Sequence, residues 1–371
     1  MKNFFACIAG LYVSLSAAAA PVPPGNVFGW GANYFAQTTI PPSATNVVAV
    51  AAGNSHSVAL RLDGQLVCWG DNSSGQGATP NGVSNVVAIS AGRSHNLALR
   101  TDGTVVAWGY SENGQTMVPN NLSNIVALAA GGNHSLAVRY DGRVFGWGNN
   151  NLGQCNIPAN LDSAVAAAAG DTHTLILKSD GTLVGLGGND SGQRDIPTGI
   201  NGVVAIAAAA NHSMALKQDG TVRVWGSGAA GRTNLPAGLF NIVAIAAGLG
   251  HCLALRADGL VLGWGYDVSG QATFPSGVSG VTAIAGGLDH SICILSAPQN
   301  ATPAILGLNT FAGLTLTGSL GATYRVEFST DFGGSAFWQP LTNVTLFTVP
   351  QFFIDGTAPL SARRFYRAVA P

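Results

Sequence analysis

All the histidines of this chain, His56, His95, His134, His173, His212, His251 and His290, stand 39 residues apart. Imidazole is the commonest zinc ligand and the side chain best suited to moving protons near neutral pH, so the series first raises metal binding or acid–base catalysis. The spacing argues against both. A metal site gathers its nitrogens about 2.1 Å from one ion, and it is built once, whereas a residue recurring at a fixed period does the same job in every repeat. Each imidazole is therefore expected to hydrogen-bond a neighbouring turn. Outside the N-terminal stretch, Cys68, Cys155, Cys252 and Cys293 occupy different repeat positions with no C-x-x-C spacing, so no metal framework arises. Cys252 and Cys293, in adjacent repeats, form the one pair to test for a disulfide; otherwise the four behave as small buried hydrophobes. The carboxylates Asp71, Glu112, Asp171, Asp190, Asp267 and Asp289 fall in scattered turns, and neither G-x-S-x-G nor His-Glu-x-x-His occurs. No catalytic residue, metal or cofactor is assigned.

The elements that carry these residues follow from one stretch, Gly131 to Gln154, GGNHSLAVRYDGRVFGWGNNNLGQ. Alternating runs from His134 to Arg139 and Arg143 to Trp147 flank Asp141-Gly142, a strong hairpin signal because a tight turn needs residues that tolerate positive φ. Asp-Gly recurs in step, and a Trp-Gly slot keeps the register at Trp30, Trp69, Trp108, Trp147, Trp225 and Trp264, with Leu186 in the remaining place. A further strand precedes each histidine and runs into Ala, Ser and Gly, as in Val47 to Ala51 or Val165 to Ala169. Strands converging on an axis leave room only for small residues, which places this strand innermost. A fixed period near 40 with strand signals means a propeller or solenoid. The spacing therefore predicts an all-β, seven-bladed β-propeller over residues 25–297, with about three strands per blade. Asn26 to Gly31 matches only the last strand of the unit, and His290 to Ser296 supplies the strand before it. The ring is expected to close by pairing the two, which removes an exposed edge.

The pattern G-x-x-H-S-x-A-L-[RK]-x-D-G-x-V-x-x-W-G-x-N-x-x-G-Q resembles the repeat of the RCC1-type (regulator of chromosome condensation) β-propellers. The short 39-residue period is closer to that of the bacterial β-lactamase-inhibitory protein II than to the longer eukaryotic blades. The resemblance implies a propeller that works by binding proteins. Where β-lactamase-inhibitory protein II often carries an aromatic residue just before the histidine slot, this chain has Ser55, Ser94, Asn133, Thr172, Asn211, Gly250 and Asp289, which argues against a β-lactamase as partner.

Only 9% of residues are charged and the formal net charge is −1. With no basic block, nucleic acid and anionic lipid are not expected partners. No segment past the N-terminus reaches the roughly 20 apolar residues of a spanning helix, so no membrane insertion is expected once the leader is cleaved. Lys2, the apolar stretch Phe4 to Ser16 and the small residues Ala17 to Ala20 read as a signal peptide over residues 1–20, with export to the periplasm, cell surface or medium. Residues 298–303 read as a linker. Residues 304–371 alternate like strands, with Trp338, Phe352, Phe353 and Tyr366 available for a small core; they resemble the small β-sandwich modules that end many exported bacterial proteins.

Repeated residues hold the fold, so information should lie where repeats differ: in the residues before each histidine and in the turns after each Trp-Gly. Strand direction puts both sets on one face and the Asp-Gly hairpins on the other. The candidate partner-binding residues are Tyr34, Phe35, Arg93, Tyr110, Glu112, Asp171, Tyr266 and Asp289, aromatics in polar turns being typical of binding hot spots. On the opposite rim, Arg61, Arg100, Arg139, Lys178, Lys217 and Arg256 each precede an Asp by two residues, so that rim is expected to be solvated and nearly neutral. The expectation is an exported, non-enzymatic, monomeric scaffold for an unidentified protein partner. The rivals are a propeller enzyme acting on polysaccharide or peptide, and a structural surface protein.

Overall fold

The computed structural model describes residues 24–120 and 122–296, with the backbone of further strands between 305 and 369. The expected signal peptide, the linker, and the side chains of Trp338, Phe352, Phe353 and Tyr366 lie outside the described residues. The chain divides into two compact units, Met1–Ala297 and Pro298–Pro371.

In the first unit, β1 (Gly25–Gly31) is followed by three-stranded antiparallel sheets in strict succession. Blade 1 is β2 (Val47–Ala52), β3 (His56–Arg61) and β4 (Leu66–Gly70); blade 2 is β5 (Val86–Ala91), β6 (His95–Arg100) and β7 (Val105–Gly109). Blade 3 is β8 (Ile125–Ala130), β9 (His134–Arg139) and β10 (Val144–Gly148); blade 4 is β11 (Ala164–Ala169), β12 (His173–Lys178) and β13 (Leu183–Gly187). Blade 5 is β14 (Val203–Ala209), β15 (His212–Lys217) and β16 (Val222–Gly226); blade 6 is β17 (Ile242–Ala247), β18 (His251–Arg256) and β19 (Val261–Gly265). The last two strands, β20 (Val281–Gly286) and β21 (His290–Ser296), are joined by β1, which pairs with β21 from Gly25 opposite Ser296 to Gly31 opposite His290. We call β20–β21–β1 the closing sheet. A single further pair, Gly25 opposite Val47, links β1 to β2. The inner strand of blade 4 begins at Ala164, one residue before the expected Val165.

The register repeats from blade to blade. His56 faces Gly70 and Ser57 faces Trp69 in blade 1, and His134 faces Gly148 and Ser135 faces Trp147 in blade 3. Every inner strand slips by one residue near its start, as between Val47 and Ala49; such bulges sharpen the local twist. Each inner strand lies against the next, and β20 lies against β2. Their alanines, among them Ala51, Ala129, Ala167, Ala207, Ala246 and Ala285, line an axial cavity of ≈ 100 Å³. A leucine at these places would overfill the axis.

The core lies between sheets. Val58 and Leu60 of blade 1 pack with Ile89 and Trp108 of blade 2, and Leu97 and Leu99 of blade 2 with Leu128 and Trp147 of blade 3. Fully burying one such aliphatic side chain is worth roughly 1.5–3 kcal/mol. The tryptophans thus fill space between neighbouring sheets, and Leu186 in blade 4 is only partly buried.

The second unit holds two antiparallel sheets. From β22 (Ile305–Leu308), β23 (Gly313–Thr317), β24 (Thr323–Ser329), β25 (Gln339–Thr345), β26 (Gln351–Ile354) and β27 (Phe365–Val369), the orders are β22-β23-β26 and β25-β24-β27. Among the described residues no helix is long and apolar enough to cross a membrane.

Candidate binding face

The repeated polar residues form a closed circuit inside the first unit. Each histidine Nε2 meets the side chain that follows the histidine of the next sheet: His56 to Asn96 at 2.8 Å, His95 to Ser135 at 3.0 Å, His134 to Thr174 at 3.1 Å and His173 to Ser213 at 3.0 Å. His212 meets Cys252 at 3.4 Å, His251 meets Ser291 at 2.8 Å, and His290 returns to Ser57 at 3.1 Å. The expected partner, a neighbouring turn, is thus corrected to a neighbouring middle strand. The turn is reached one step later, because Ser57 Oγ donates to the Gln37 carbonyl at 2.9 Å and Ser135 Oγ to that of Gln115 at 2.8 Å. A hydroxyl has one proton, and the carbonyl can only accept it. The oxygen must therefore accept Nε2–H, which fixes the Nε2–H tautomer.

The other ring nitrogen, Nδ1, is buried without a donor in every histidine. In all but His212 it faces glycine instead: a Cβ at Gly53 would lie 2.5 Å from His56 Nδ1, and one at Gly287 2.5 Å from His290 Nδ1. Only the Cα hydrogen of glycine fits there, and it offers a weak C–H contact. Burial accordingly pushes the pKa down to about 4 in His56, His173 and His251 and to about 3 in His95, His134, His212 and His290. These imidazoles are neutral and enclosed, in keeping with a structural role. Among the described residues no group of three or more His, Cys, Asp or Glu side chains is arranged to hold a metal.

A buried glutamine, Gln37, Gln76, Gln115, Gln154, Gln193 or Gln271, ends all but one of the variable turns, a role the sequence reading missed. Its backbone carbonyl receives the relay just described, and at Gln37, Gln115 and Gln271 it also accepts an indole N–H, from Trp69 at 2.8 Å, Trp147 at 2.9 Å and Trp30 at 2.9 Å, whereas the Trp108 and Trp225 indoles have no such partner. Its Oε1 accepts the N–H two residues earlier, as from Ser74 to Gln76 at 2.8 Å and from Leu152 to Gln154 at 3.0 Å. The backbone of the turn is thus held by shared residues, which leaves its side chains free to differ.

One junction departs from the pattern. Between blades 5 and 6, Ala209 replaces the glycine beside the histidine, Arg232 replaces the glutamine and Cys252 replaces the hydroxyl or amide. Elsewhere the inner turns are chained by N–H to carbonyl bonds, such as Asn54 to Arg93 at 3.1 Å, Gly132 to Gly170 at 3.0 Å and Leu288 to Asn54 at 3.2 Å. Among the described residues none runs from Ala210 to Gly248. Arg232 spans the gap in part, through Nη1 to the Leu249 carbonyl at 3.0 Å. Cys252 and Cys293 are free thiols. The expected pair fails because blade 6 lies between them: Cys252, on blade 6, faces blade 5, whereas Cys293, on the closing sheet, packs against the other side of blade 6.

The variable turns lie together on one face, as strand direction requires: Asp71 N–H bonds the Ser55 carbonyl at 2.8 Å and Asn149 N–H that of Asn133 at 2.8 Å. Tyr34 and Phe35, 83% and 53% exposed, follow β1; Tyr266 and Val268, 40% and 80% exposed, follow β19. These two turns are neighbours. Trp30 Nε1 donates to the Gln271 carbonyl at 2.9 Å, and Ala32 N–H to that of Asp289 at 2.7 Å. The Tyr266 side chain covers Gly250, where an added Cβ would come within 2.8 Å of it. Arg93, Tyr110 and Glu112 stand apart on blade 2, with Tyr110 Oη donating to Glu112. That bond holds the Tyr110 phenol above its ordinary pKa. Asp171, from blade 4, lies at the axial mouth with Arg93; burial raises its carboxyl, and Arg93 opposes the shift. Burial also raises Asp289. The candidate residues therefore form an aromatic group on blade 6 and the closing sheet, a polar group on blade 2, and a carboxylate at the mouth.

On the opposite rim, Arg61–Asp63 at 2.9 Å, Lys178–Asp180 at 3.2 Å and Lys217–Asp219 at 3.1 Å are ion pairs across their own hairpins. Exposed pairs of this kind contribute little to stability and leave the rim nearly neutral.

The family described as Regulator of chromosome condensation (RCC1) repeat matches residues 47–76, 86–115, 125–154, 164–193, 203–232 and 242–271. Each match runs from an inner strand to the residue that ends the variable turn; the closing sheet, divided between distant parts of the chain, is not among them. Prp20p from Saccharomyces cerevisiae, in a structure described with its binding properties to Gsp1p and histones, is 18% identical with a TM-score of 0.63, over 78% of this chain and 94% of that chain. Yeast RCC1 (Prp20) in its structure bound to Kap60 is 20% identical with a TM-score of 0.62, over 81% and 94%. Human WBSCR16 is 18% identical with a TM-score of 0.58, over 74% and 99%. No curated protein matches the chain. At such identities the structural likeness speaks to the fold, and together with the repeated segments it makes this chain a member of the RCC1-type repeat propellers.

Proposed function

We propose that this chain is an exported, non-enzymatic scaffold that grips a protein partner through its variable-turn face, with the closing sheet counting as the seventh blade of the ring. One observation carries the reading. The polar residues common to the repeats are engaged with one another inside the ring, whereas the turns that differ hold exposed Tyr34, Phe35 and Tyr266 on a shared face. Large, stiff aromatic side chains on a fixed backbone lose little entropy on binding, and such residues dominate interface energetics. The partners named for the yeast propellers, Gsp1p, histones and Kap60, support a binding role for this fold. Export rests on the Lys2, Phe4 to Ser16 and Ala17 to Ala20 pattern.

The test is an affinity capture from the envelope and culture medium of the source cells. The whole chain serves as one bait, and a variant carrying Tyr34→Ala, Phe35→Ala, Tyr110→Ala and Tyr266→Ala as the other. A protein retained by the first and lost from the second supports the reading. Equal capture by both moves the site to the Asp-Gly face. Cell fractionation tests export separately, and a product confined to the cytoplasm removes that half of the proposal.

A further inference from the structure

We infer that the partner docks on the aromatic patch shared by blade 6 and the closing sheet, and that it presents a lysine or arginine beside an apolar side chain. This rests on the binding-face reading above and narrows it to one part of the face and one class of protein surface. The patch is continuous because its turns are stitched together. The Gln271 carbonyl takes the Trp30 indole N–H, Gln271 Nε2 donates to Asp289 Oδ1 at 3.3 Å, and Leu249 N–H bonds the Gly287 carbonyl at 2.9 Å. Tyr34, Phe35 and Val268 stand exposed around this junction, and Tyr266 is held over Gly250. At the Tyr34-Phe35 positions blades 1, 2, 4 and 5 hold Ser73-Ser74, Glu112-Asn113, Asp190-Ser191 and Ala229-Ala230, and blade 3 holds Asn151-Leu152, with Leu152 exposed. Tyr110, at the Tyr266 position of blade 2, is bonded to Glu112. Several exposed apolar side chains in adjoining turns are thus found on this arc, against single ones in blades 2 and 3.

Its charge has one sign. Asp267 and Asp289 are the carboxylates there, and the nearby cation, Arg232, is turned inward onto the carbonyls of Ala229 and Leu249 and the Ser227 hydroxyl. Asp267 is engaged by Ala272 N–H at 2.6 Å and by Thr273. Asp289 is different. Its hydrogen-bond partner among the described residues is a long one to Gln271, and burial already disfavours its charge. A partly desolvated carboxylate beside exposed aromatic rings suits a cation that can pair with the oxygen while its alkyl stem, or its charge, lies on a ring face. An acidic partner would face repulsion at the same spot.

A phage-displayed library of random 16-residue peptides, panned against the whole chain at low salt, tests the inference. The expected binders are enriched in Lys or Arg next to Phe, Leu or Trp. Their affinity should fall about tenfold or more with Tyr34→Ala and Tyr266→Ala combined. It should fall about threefold to tenfold with Asp289→Asn, and severalfold when salt is raised from 50 to 300 mM. Tyr266→Phe keeps the ring over Gly250 and should retain binding, which separates loss of contact from loss of fold; Asp141→Asn, on the opposite face, is the charge control. Binders that need the aromatic residues but show neither cation enrichment nor a response to Asp289→Asn would leave the binding face standing and overturn the cationic class. Binders indifferent to the aromatic substitutions, or none at all, would overturn both.

Discussion

Lowering the pH should unfold the ring in a window set by its histidines. An unfolded imidazole titrates near pH 6.5, whereas the folded ones are held at about 3 to 4 by burial. Folded values below unfolded values mean that, between them, the unfolded chain binds protons that the folded chain refuses. Stability is therefore complete above about pH 7 and falls as the pH drops through 6.5 toward the folded values. Each histidine loses about 1.3 kcal/mol between pH 7.5 and 5.5 by this linkage, so the seven together remove roughly 9 kcal/mol. That equals the whole stability of a typical domain, about 5–15 kcal/mol. The exposed aspartates Asp141, Asp180 and Asp219, held at about 2 by their hairpin partners, titrate well below this range and do not blur it. Urea unfolding followed by tryptophan fluorescence at pH 7.5, 6.5 and 5.5 measures the effect, and circular dichroism against pH locates the collapse between about pH 6 and 5. A free energy that changes by less than about 2 kcal/mol over these two units would refute the buried, neutral circuit.

Other perturbations probe single joints. Ser135→Ala strands the buried His95 Nε2–H, while the Gln115 carbonyl keeps the Trp147 indole; a loss of about 1–3 kcal/mol is expected in denaturant unfolding, and Ser135→Thr, the residue type at position 174, should restore most of it. Gly131→Ala would put a Cβ 2.5 Å from both His134 Cε1 and the Gly170 carbonyl, and should cost about 3 kcal/mol or more through strain, seen as a lower unfolding midpoint. Deleting Asn26 to Gly31 bares the edge of β21 and should lower the melting temperature and promote association; an unchanged melt would contradict closure. Cys252, whose thiol burial pushes up to about 12, should resist thiol reagents in the native state and react only on unfolding.

The repeat, the hairpins and the inner position of the alanine-rich strand were legible because they are local: a two-residue turn signal, an alternating pattern and a fixed step. The start of β11 at Ala164 was not, since alanine carries little strand preference and only the pairing of Ala164 with Lys178 brings it into the sheet. The histidine partner was hidden for a different reason, because it lies in the next sheet and no local pattern states the register between sheets. A clue did exist in the dipeptides His56-Ser57, His95-Asn96 and His173-Thr174, which repeat a small hydrogen-bonding side chain beside each imidazole. The cysteine pairing failed because adjacency of repeats says nothing about which side of a blade a residue faces. Of the candidate site, the shared face followed from strand direction, but its division into separate groups depends on where each turn sits around the ring.

The pairing of Gly25 with Ser296 also fixes where the chain can be reopened. In the other sheets an Asp-Gly hairpin joins the middle and outer strands at this place; in the closing sheet β21 and β1 end side by side there. The chain is in effect a circular permutant of an uninterrupted ring. Joining Ser296 to Gly25 through a short turn and cutting at Asp141-Gly142 should give the same fold with new ends. The position of the break also has a directional consequence. The polypeptide leaves Ser296 on the Asp-Gly side of the first unit, the side opposite the turns bearing Tyr34 and Tyr266.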